Sequence, residues 1–415
     1  MLRLTALLPF AAALCVALSS LPGQAQERKA PLAEEYLTSG RLAEGEESLE
    51  AHLKANPNDD EARFGLAAVQ IVRAIERLAQ SLYEHGPRDR ADFLPFIRVV
   101  VPHNPDPKPI SYERLREILA VFQRDVLACE ATLAAMHDTD VKLPLHFGRI
   151  RLDTNADGKA GDDETLWRIY AQLNRRASID KRAAEEFVIT FDKADVHWLR
   201  GYCHLLAATC DTVLAYDFRE LFERTGHVVF EKVESPDPYL STARRLWDVG
   251  GGLDIADVIA MIHLINFPLA EEERMPRALE HLEAVIEQSR LSWKAIESEM
   301  DDDHEWVPNH RQTGVIPGVR VTEEMEKGWH EFLAEAESIL AGERLIPFWR
   351  ADDPRTGVNL RRVFTEPERF DLVLWVQGSG VDPYLEKGEV TSADTWRRLT
   401  RAFGGQFVGF AFWFN

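Results

Sequence analysis

Apolar positions recur at helical spacing along most of the chain, and they predict a mainly α protein. Residues 32–85 read as consecutive helices. Another helix is predicted over residues 111–136, where apolar side chains return every three or four positions. The stretch from residue 194 to residue 223 is apolar on most sides, which is typical of a helix at the centre of a core. The pattern therefore places long helices at the start and in the middle of the chain.

The second half continues the helical pattern with clear boundary signals. Helices are predicted over residues 239–249, 253–265, 276–300, 322–341 and 392–403. A hairpin is predicted over residues 347–364, with its turn near 351–357. Thr365 and Glu368 have the spacing of a capping box, so a helix is predicted from there to Gly378.

Short β segments interrupt the helices. Apolar runs at residues 187–191 and 227–233 predict two strands, and a third extended piece is predicted at 96–101. Six prolines between residues 86 and 110 rule out a continuous helix there. The approach to residue 153 contains Pro144 and Gly148, which predict an irregular or extended backbone.

Residues 33–67 show the features of one helical repeat. Gly40 opens the turn between two predicted helices, and Gly45 takes the small-residue position where two helices pack closely. Pro57 closes the unit, and the next helix again brings a leucine, Leu66, beside a small residue. This stretch resembles a tetratricopeptide (TPR) repeat. The resemblance implies a helical hairpin that binds a protein or peptide partner and packs on the rest of the chain, because one repeat cannot bury its own face. An ordinary helical hairpin of similar composition is the alternative.

The first 25 residues have the pattern of an export signal. Arg3 precedes an almost wholly apolar run, and small residues lead to a cleavage position after Ala25. The run is shorter than the ~20 residues that span a bilayer. We therefore expect removal of the signal, a periplasmic or secreted location and no integral membrane segment in the mature chain.

Charge and cysteine content narrow the function further. The chain has a formal net charge of −21, which argues against a nucleic-acid partner, because phosphates demand a basic face. Its four cysteines, one of them inside the predicted signal, are too few for a disulfide framework. Two alternatives remain for the other three cysteines. Cys129 forms a disulfide with Cys203 or Cys210, or all three are buried free thiols.

The twelve residues 153–164 order their oxygen-bearing side chains as calcium loops do. Aspartate or asparagine stands at positions 1, 3 and 5, glycine at position 6 and glutamate at position 12. The segment resembles an EF-hand loop, and this implies one bound Ca²⁺. The predicted ligands are Asp153, Asn155, Asp157, Lys159 through its carbonyl, and Glu164.

Two departures from the EF-hand pattern favour a structural ion over a switch. Ala160 stands where a β-branched residue normally pairs with a partner loop, and the chain has no second loop with this spacing. Asp192 and Asp195 are candidates for an extra ligand. A solvated turn that caps the following helix is the alternative to a calcium site.

Five segments follow from these patterns, and together they predict a TPR-like hairpin packed on a larger helical domain with short β segments. They are a signal peptide (1–25), the TPR-like hairpin (26–86), a proline-rich connection (87–110), a helical domain with the EF-hand-like loop (111–235) and a C-terminal helical domain with a small hairpin (236–415).

The predicted function is that of an exported calcium-binding scaffold or binding protein. The alternative is a periplasmic or secreted hydrolase, whose site would use the acidic and histidine-bearing loop 301–310, including His304 and His310. His204 and Asp211, on the central helix, are predicted to form a buried polar pair.

Overall fold

The computed structural model describes residues 32–88, 101–137, 140–173, 180–237, 239, 254–302, 305–315, 320–405 and 407–414. Fifteen α-helices and seven short strands lie within these residues, so the predicted mainly α class is confirmed. The helices are α1 (Leu32–Ser39), α2 (Leu42–Ala55), α3 (Asp60–His85), α4 (Tyr112–Ala134), α5 (Leu166–Leu173), α6 (Lys181–Glu186), α7 (Lys193–Ala215), α8 (Arg219–Thr225), α9 (Ile255–Leu264), α10 (Arg274–Ser298), α11 (Glu323–Leu340), α12 (Leu360–Thr365), α13 (Leu372–Gln377), α14 (Ala393–Ala402) and α15 (Phe407–Phe414).

The strands are two or three residues long and pair locally. They are β1 (Leu143–Leu145), β2 (Ile189–Phe191), β3 (Asn266–Phe267), β4 (Ile346–Pro347), β5 (Thr356–Val358), β6 (Phe370–Asp371) and β7 (Leu385–Lys387). The antiparallel pairs are β1–β2 and β3–β6, and the three-stranded sheet has the order β4–β5–β7. Among the helices described, none combines the length and the apolar character that crossing a bilayer requires.

The first three helices of the described chain pack against one another. Helix α3 begins where the Asp59 carboxylate accepts a hydrogen bond from the Ala62 amide (3.0 Å), and it ends at Gly86, whose φ is +61°. Gly45 lies against the Tyr36 side chain, where an added Cβ would approach to 2.6 Å. Helices α1 and α2 and the close contact at Gly45 are therefore present, while the TPR-like hairpin stays a prediction.

The core follows the helix order α3, α4, α7 and α10, each packed against the next. Helix α7 is buried on most of its sides, as its apolar pattern predicts. Cys129, Cys203 and Cys210 are buried free thiols in this core, so the disulfide alternative is wrong. The Cys129 thiol donates to the Ala67 carbonyl across the α3–α4 contact (3.3 Å).

The central helix is shorter than the sequence pattern predicts. It ends at Ala215 instead of Glu223, because the backbone beyond it pairs with the segment after β3. The Asp217 amide donates to the Pro268 carbonyl (2.8 Å), and the Ala215 carbonyl accepts from the Ala270 amide (2.8 Å). Long-range pairing thus replaces the next turn of helix, and α8 restarts at Arg219.

The C-terminal half packs around α10. Trp293 is fully buried, and its ring meets that of Phe414 from the last helix at a centroid distance of 4.9 Å. The predicted caps at Thr322 and Ser392 are confirmed, since both hydroxyls accept a backbone amide at the start of α11 and α14.

Two local predictions in the short elements are wrong, and a third is right only in part. The predicted strand 227–233 is a 3-10 turn followed by isolated bridges, Phe230 to Pro87 and Val233 to Ile110. The predicted hairpin 347–364 keeps β4 and β5 but ends in helix α12. Thr365 is the last residue of α12 and does not start a helix. The next helix, α13, is capped by Asp371, whose carboxylate accepts a hydrogen bond from the Leu374 amide.

Several predictions fall on residues outside the described part of the chain. They are the signal peptide at 1–25, most of the extended piece at 96–101, and nearly all of the helix at 239–249. The helix predicted at 253–265 is present as α9, and it ends one residue before Ile265.

Candidate metal centre

The EF-hand-like loop is closed at its base by backbone pairing. The Leu152 amide donates to the Glu164 carbonyl (3.1 Å), and the Leu166 amide donates to the Ile150 carbonyl (2.8 Å). The chain enters the loop from β1 and a 3-10 turn, and leaves it into α5. The predicted non-helical entry and helical exit are both confirmed.

Three predicted ligand side chains accept hydrogen bonds from amides of the loop itself. Asp153 accepts from the amides of Asp157 (3.2 Å) and Gly158 (3.0 Å), and Asn155 accepts from that of Asp157 (2.9 Å). The Asp157 carboxylate accepts from the Lys159 amide (2.8 Å). Gly158 has a φ of +81°, the left-handed conformation that the sixth position of such a loop demands.

The last predicted ligand, Glu164, folds back over the loop. One carboxylate oxygen accepts from the amide (2.8 Å) and the hydroxyl (2.6 Å) of Thr154. The other accepts from the Gly161 amide (2.9 Å). Both oxygens of position 12 are thereby fixed against the second and ninth positions of the same loop.

A fourth carboxyl, Glu76 of α3, lies at the loop and was missed by the sequence analysis. Its carboxylate accepts the Asp153 amide (2.7 Å), and the residue is only 9% exposed. The pKa of Glu76 is raised to about 7, chiefly by burial and also by the carboxylates of Asp153 and Glu164, while that hydrogen bond opposes the rise. The signal in the sequence is a glutamate on the buried face of α3, between Val72 and Ala79.

The loop is held between the first two helices and α3. The Arg151 amide donates to the Leu37 carbonyl at the end of α1 (2.9 Å), and the Gln80 side chain donates to the Asp153 carbonyl (2.8 Å). Ala160 lies directly against Gly40, where an added Cβ would stand 2.2 Å from the Ala160 Cβ. Ala160, the eighth residue of the loop, therefore packs against the turn at Gly40, whereas in paired EF-hands this position contacts a second loop.

A second group of carboxylates lies elsewhere in the molecule, and its oxygen atoms are closer together than those of the loop carboxylates. One oxygen each from Asp192, Glu299 and Glu305 lies within 4.8 Å of the others. Within the described residues, the loop carboxylates do not form such a group. Asp192, a candidate for an extra loop ligand, belongs instead with this acidic triad.

Electrostatics around the acidic triad favour protonation. The pKa of Glu299 is raised to about 7, chiefly by burial and then by the Asp192 carboxylate, while the Gln312 amide group, 3.1 Å away, opposes the rise. Burial also raises the pKa of Asp195 well above its ordinary value, again with a contribution from Asp192. The Lys142 ammonium, which acts against the burial that raises the pKa of Asp192, contacts Asp301 (2.5 Å).

Of the two histidines in loop 301–310, the structure describes His310, and this residue contacts a carboxylate outside the triad. His310 contacts Glu326 of α11 (2.8 Å), and its side chain is 41% exposed. His304 lies outside the described residues. The loop therefore brings Glu305 to the triad, and α10 and the start of α7 supply the other two carboxylates.

Replacing Glu299 by Gln is expected to stabilise the protein at pH 8 by ~1–3 kcal/mol and to have little effect at pH 5. Because its folded-state pKa is raised from 4.5 to about 7, the contribution of this carboxyl is fully present below pH 4.5 and is lost as pH rises through 7. At ~1.4 kcal/mol per pKa unit, that loss is roughly 3 kcal/mol at most. Urea unfolding at both pH values measures it.

Glu272→Gln removes an exposed carboxylate of the same half of the chain and serves as the control. An equal change in the free energy of unfolding at pH 5 and pH 8 for Glu299→Gln contradicts the electrostatic explanation.

Comparison with family models, with curated proteins and with solved structures gave no match. The candidate site therefore rests on the residues and geometry given above.

Proposed function

We propose that this protein is an exported calcium-binding helical scaffold, and that one structural Ca²⁺ in the 153–164 loop fixes its N-terminal helices to the core. The carrying observation is the place of the loop between the turn at Gly40 and helix α3, with Glu76 as an additional buried carboxyl beside Asp153. An ion in the loop would make that junction rigid.

The ligand chemistry supports calcium over other metals. The donors are carboxylate, amide and backbone oxygens, which hard cations prefer, and Ca²⁺ tolerates the irregular geometry of a loop. Asp153, Asp157 and Glu164 carry three formal negative charges, and Glu76 adds a fourth when it is ionised. A divalent ion would relieve the repulsion among them.

Calcium at ~10 mM is expected to raise the midpoint of thermal unfolding by roughly 2–3 °C. The reason is linkage: an affinity of ~10⁻⁴–10⁻³ M, typical of extracellular modules, gives ~1.4–2.7 kcal/mol of stabilisation when only the folded state binds. Differential scanning calorimetry with and without calcium measures the shift, and Mg²⁺ serves as the ionic control.

Glu164→Gln should abolish the shift, because an amide offers only one neutral oxygen to the ion. A wild-type midpoint that does not move at ~10 mM calcium, or an equal shift in the variant, contradicts the proposed site.

A scaffold needs a surface that binds a partner. The proposed surface is the solvent-exposed face of α2. Its exposed residues include Glu44, Glu47 and Glu50. This acidic face favours a basic protein or peptide segment, bound in a salt-dependent way.

A hydrolase is the second candidate function, and one observation favours it. Burial raises the pKa of Glu299 to about 7, and one oxygen of this residue lies within 4.8 Å of Asp192 and Glu305. A carboxyl group with a pKa near the working pH, beside other carboxyls, is the arrangement that acid–base catalysis uses. Chromogenic esters, glycosides and peptides provide the test. Hydrolysis that falls at least ~100-fold in Glu299→Gln supports this function, and activity unchanged in the variant removes the triad from it.

A further inference from the structure

Two histidines from different helices face each other in the core, away from both carboxylate groups described above. Nδ1 of His204 on α7 lies 3.0 Å from Nδ1 of His281 on α10. The ring centroids are 5.2 Å apart, and the side chains are only 14% and 18% exposed. The pair lies within the α7–α10 contact, the most extensive between helices of the described core.

The other nitrogen of each ring points toward a carboxylate. His204 Nε2 lies 3.5 Å from Glu130, and His281 Nε2 lies 3.7 Å from Asp211. The predicted His204–Asp211 pair is therefore wrong, since Asp211 contacts His281 and Arg274 (2.8 Å). A third helix, α4, enters the group through Glu130.

The 3.0 Å contact is an N–H···N hydrogen bond in one pair of tautomers, and in another it fits two ligands of one bound cation. A neutral imidazole carries one hydrogen. If each Nε2 holds it toward its carboxylate, both Nδ1 atoms direct lone pairs at each other across 3.0 Å. Such lone pairs repel unless a shared proton or a metal ion lies between them.

We propose that His204 and His281 bind one divalent transition-metal ion of the zinc class through their Nδ1 atoms, with Glu130 and Asp211 as the carboxylates that orient the two rings. Zinc–nitrogen bonds of ~2.0–2.1 Å place two ligand nitrogens of one ion about 2.9–3.4 Å apart. The observed separation lies in that range, and a carboxylate behind each ring is the usual support of a metal-binding histidine.

The proposed site differs from the calcium loop in donors and position. Imidazole nitrogen suits zinc, copper and nickel, whereas calcium takes oxygen. An ion here would link α7 to α10, and water would complete its coordination. Zinc binding at this site does not depend on calcium binding in the 153–164 loop, so the two proposals can be tested separately.

Zinc chloride titrated into the tag-free, metal-stripped full chain is expected to bind at one equivalent. His204→Gln and His281→Gln should each weaken binding at least ~10-fold, and Glu130→Gln, which keeps both ligands, should weaken it ~10–100-fold. Co²⁺ should give visible absorption bands in the wild type that disappear in the two histidine variants. Circular dichroism establishes that each variant is folded.

Two variants serve as controls. His197→Gln changes another half-buried histidine of α7, which bonds Gln288 (2.9 Å), and Glu164→Gln changes the calcium loop. Both should keep zinc binding. Absence of stoichiometric zinc in the wild type overturns the proposal, and so does unchanged affinity in folded His204→Gln and His281→Gln.

Discussion

Gly40→Ala is expected to destabilise the protein by ~2–5 kcal/mol and to weaken calcium binding at the same time. Gly40 has a φ of +70°, and an added Cβ would stand 2.2 Å from the Ala160 Cβ, inside the 153–164 loop. The left-handed conformation costs a non-glycine residue ~1–2 kcal/mol, and overpacking adds ~1–3 kcal/mol. Urea unfolding and calcium titration of the same variant measure the two effects.

Gly404→Ala separates backbone strain from the clash. Its φ is +56°, yet an added Cβ meets no atom within 4 Å. We expect this control to lose ~1–2 kcal/mol and to bind calcium as the wild type does. If Gly40→Ala behaves like Gly404→Ala in both measurements, the contact between the helical turn and the loop has no energetic role.

Trp293→Ala is expected to lower the free energy of unfolding by ~3–5 kcal/mol, the usual range for removing a buried tryptophan. The side chain is fully buried, and its indole nitrogen donates to the Phe414 carbonyl (3.3 Å). The substitution therefore removes both an aromatic contact and an anchor of α15. Urea unfolding gives the loss, and hydrogen exchange should show faster exchange in α15.

Trp349→Ala is the matched control, because that tryptophan is 61% exposed. We expect it to change the free energy of unfolding by no more than ~0.5 kcal/mol. Comparable losses in the two variants contradict the central packing role of Trp293.

The long helices were predictable because each carries its own signals. Helix α11 begins at its Thr cap, and α13 ends at Gly378, whose φ is +110°. The errors arose where distant pairing decides the backbone, as at the end of α7, where residues after β3 take the hydrogen bonds. The short elements near Thr365 failed for the same reason, since β6 pairs with β3 just before α13 begins.

The candidate metal sites also differ in whether their residues are close together or far apart in the sequence. The 153–164 loop is local in sequence, so its spacing alone predicts a ligand set. Glu76, by contrast, reaches Asp153 from 77 positions away, and His281 reaches His204 from an equal separation. Such meetings depend on how α3, α7 and α10 pack, which periodicity does not specify.

Isothermal titration of calcium into the metal-stripped protein tests the proposed calcium site. We expect one ion per chain with an affinity of ~10⁻⁴–10⁻³ M, and no heat of binding in Glu164→Gln. Absence of binding heat in the wild type at ~10 mM calcium, or equal binding by wild type and Glu164→Gln, would contradict a calcium site in the 153–164 loop.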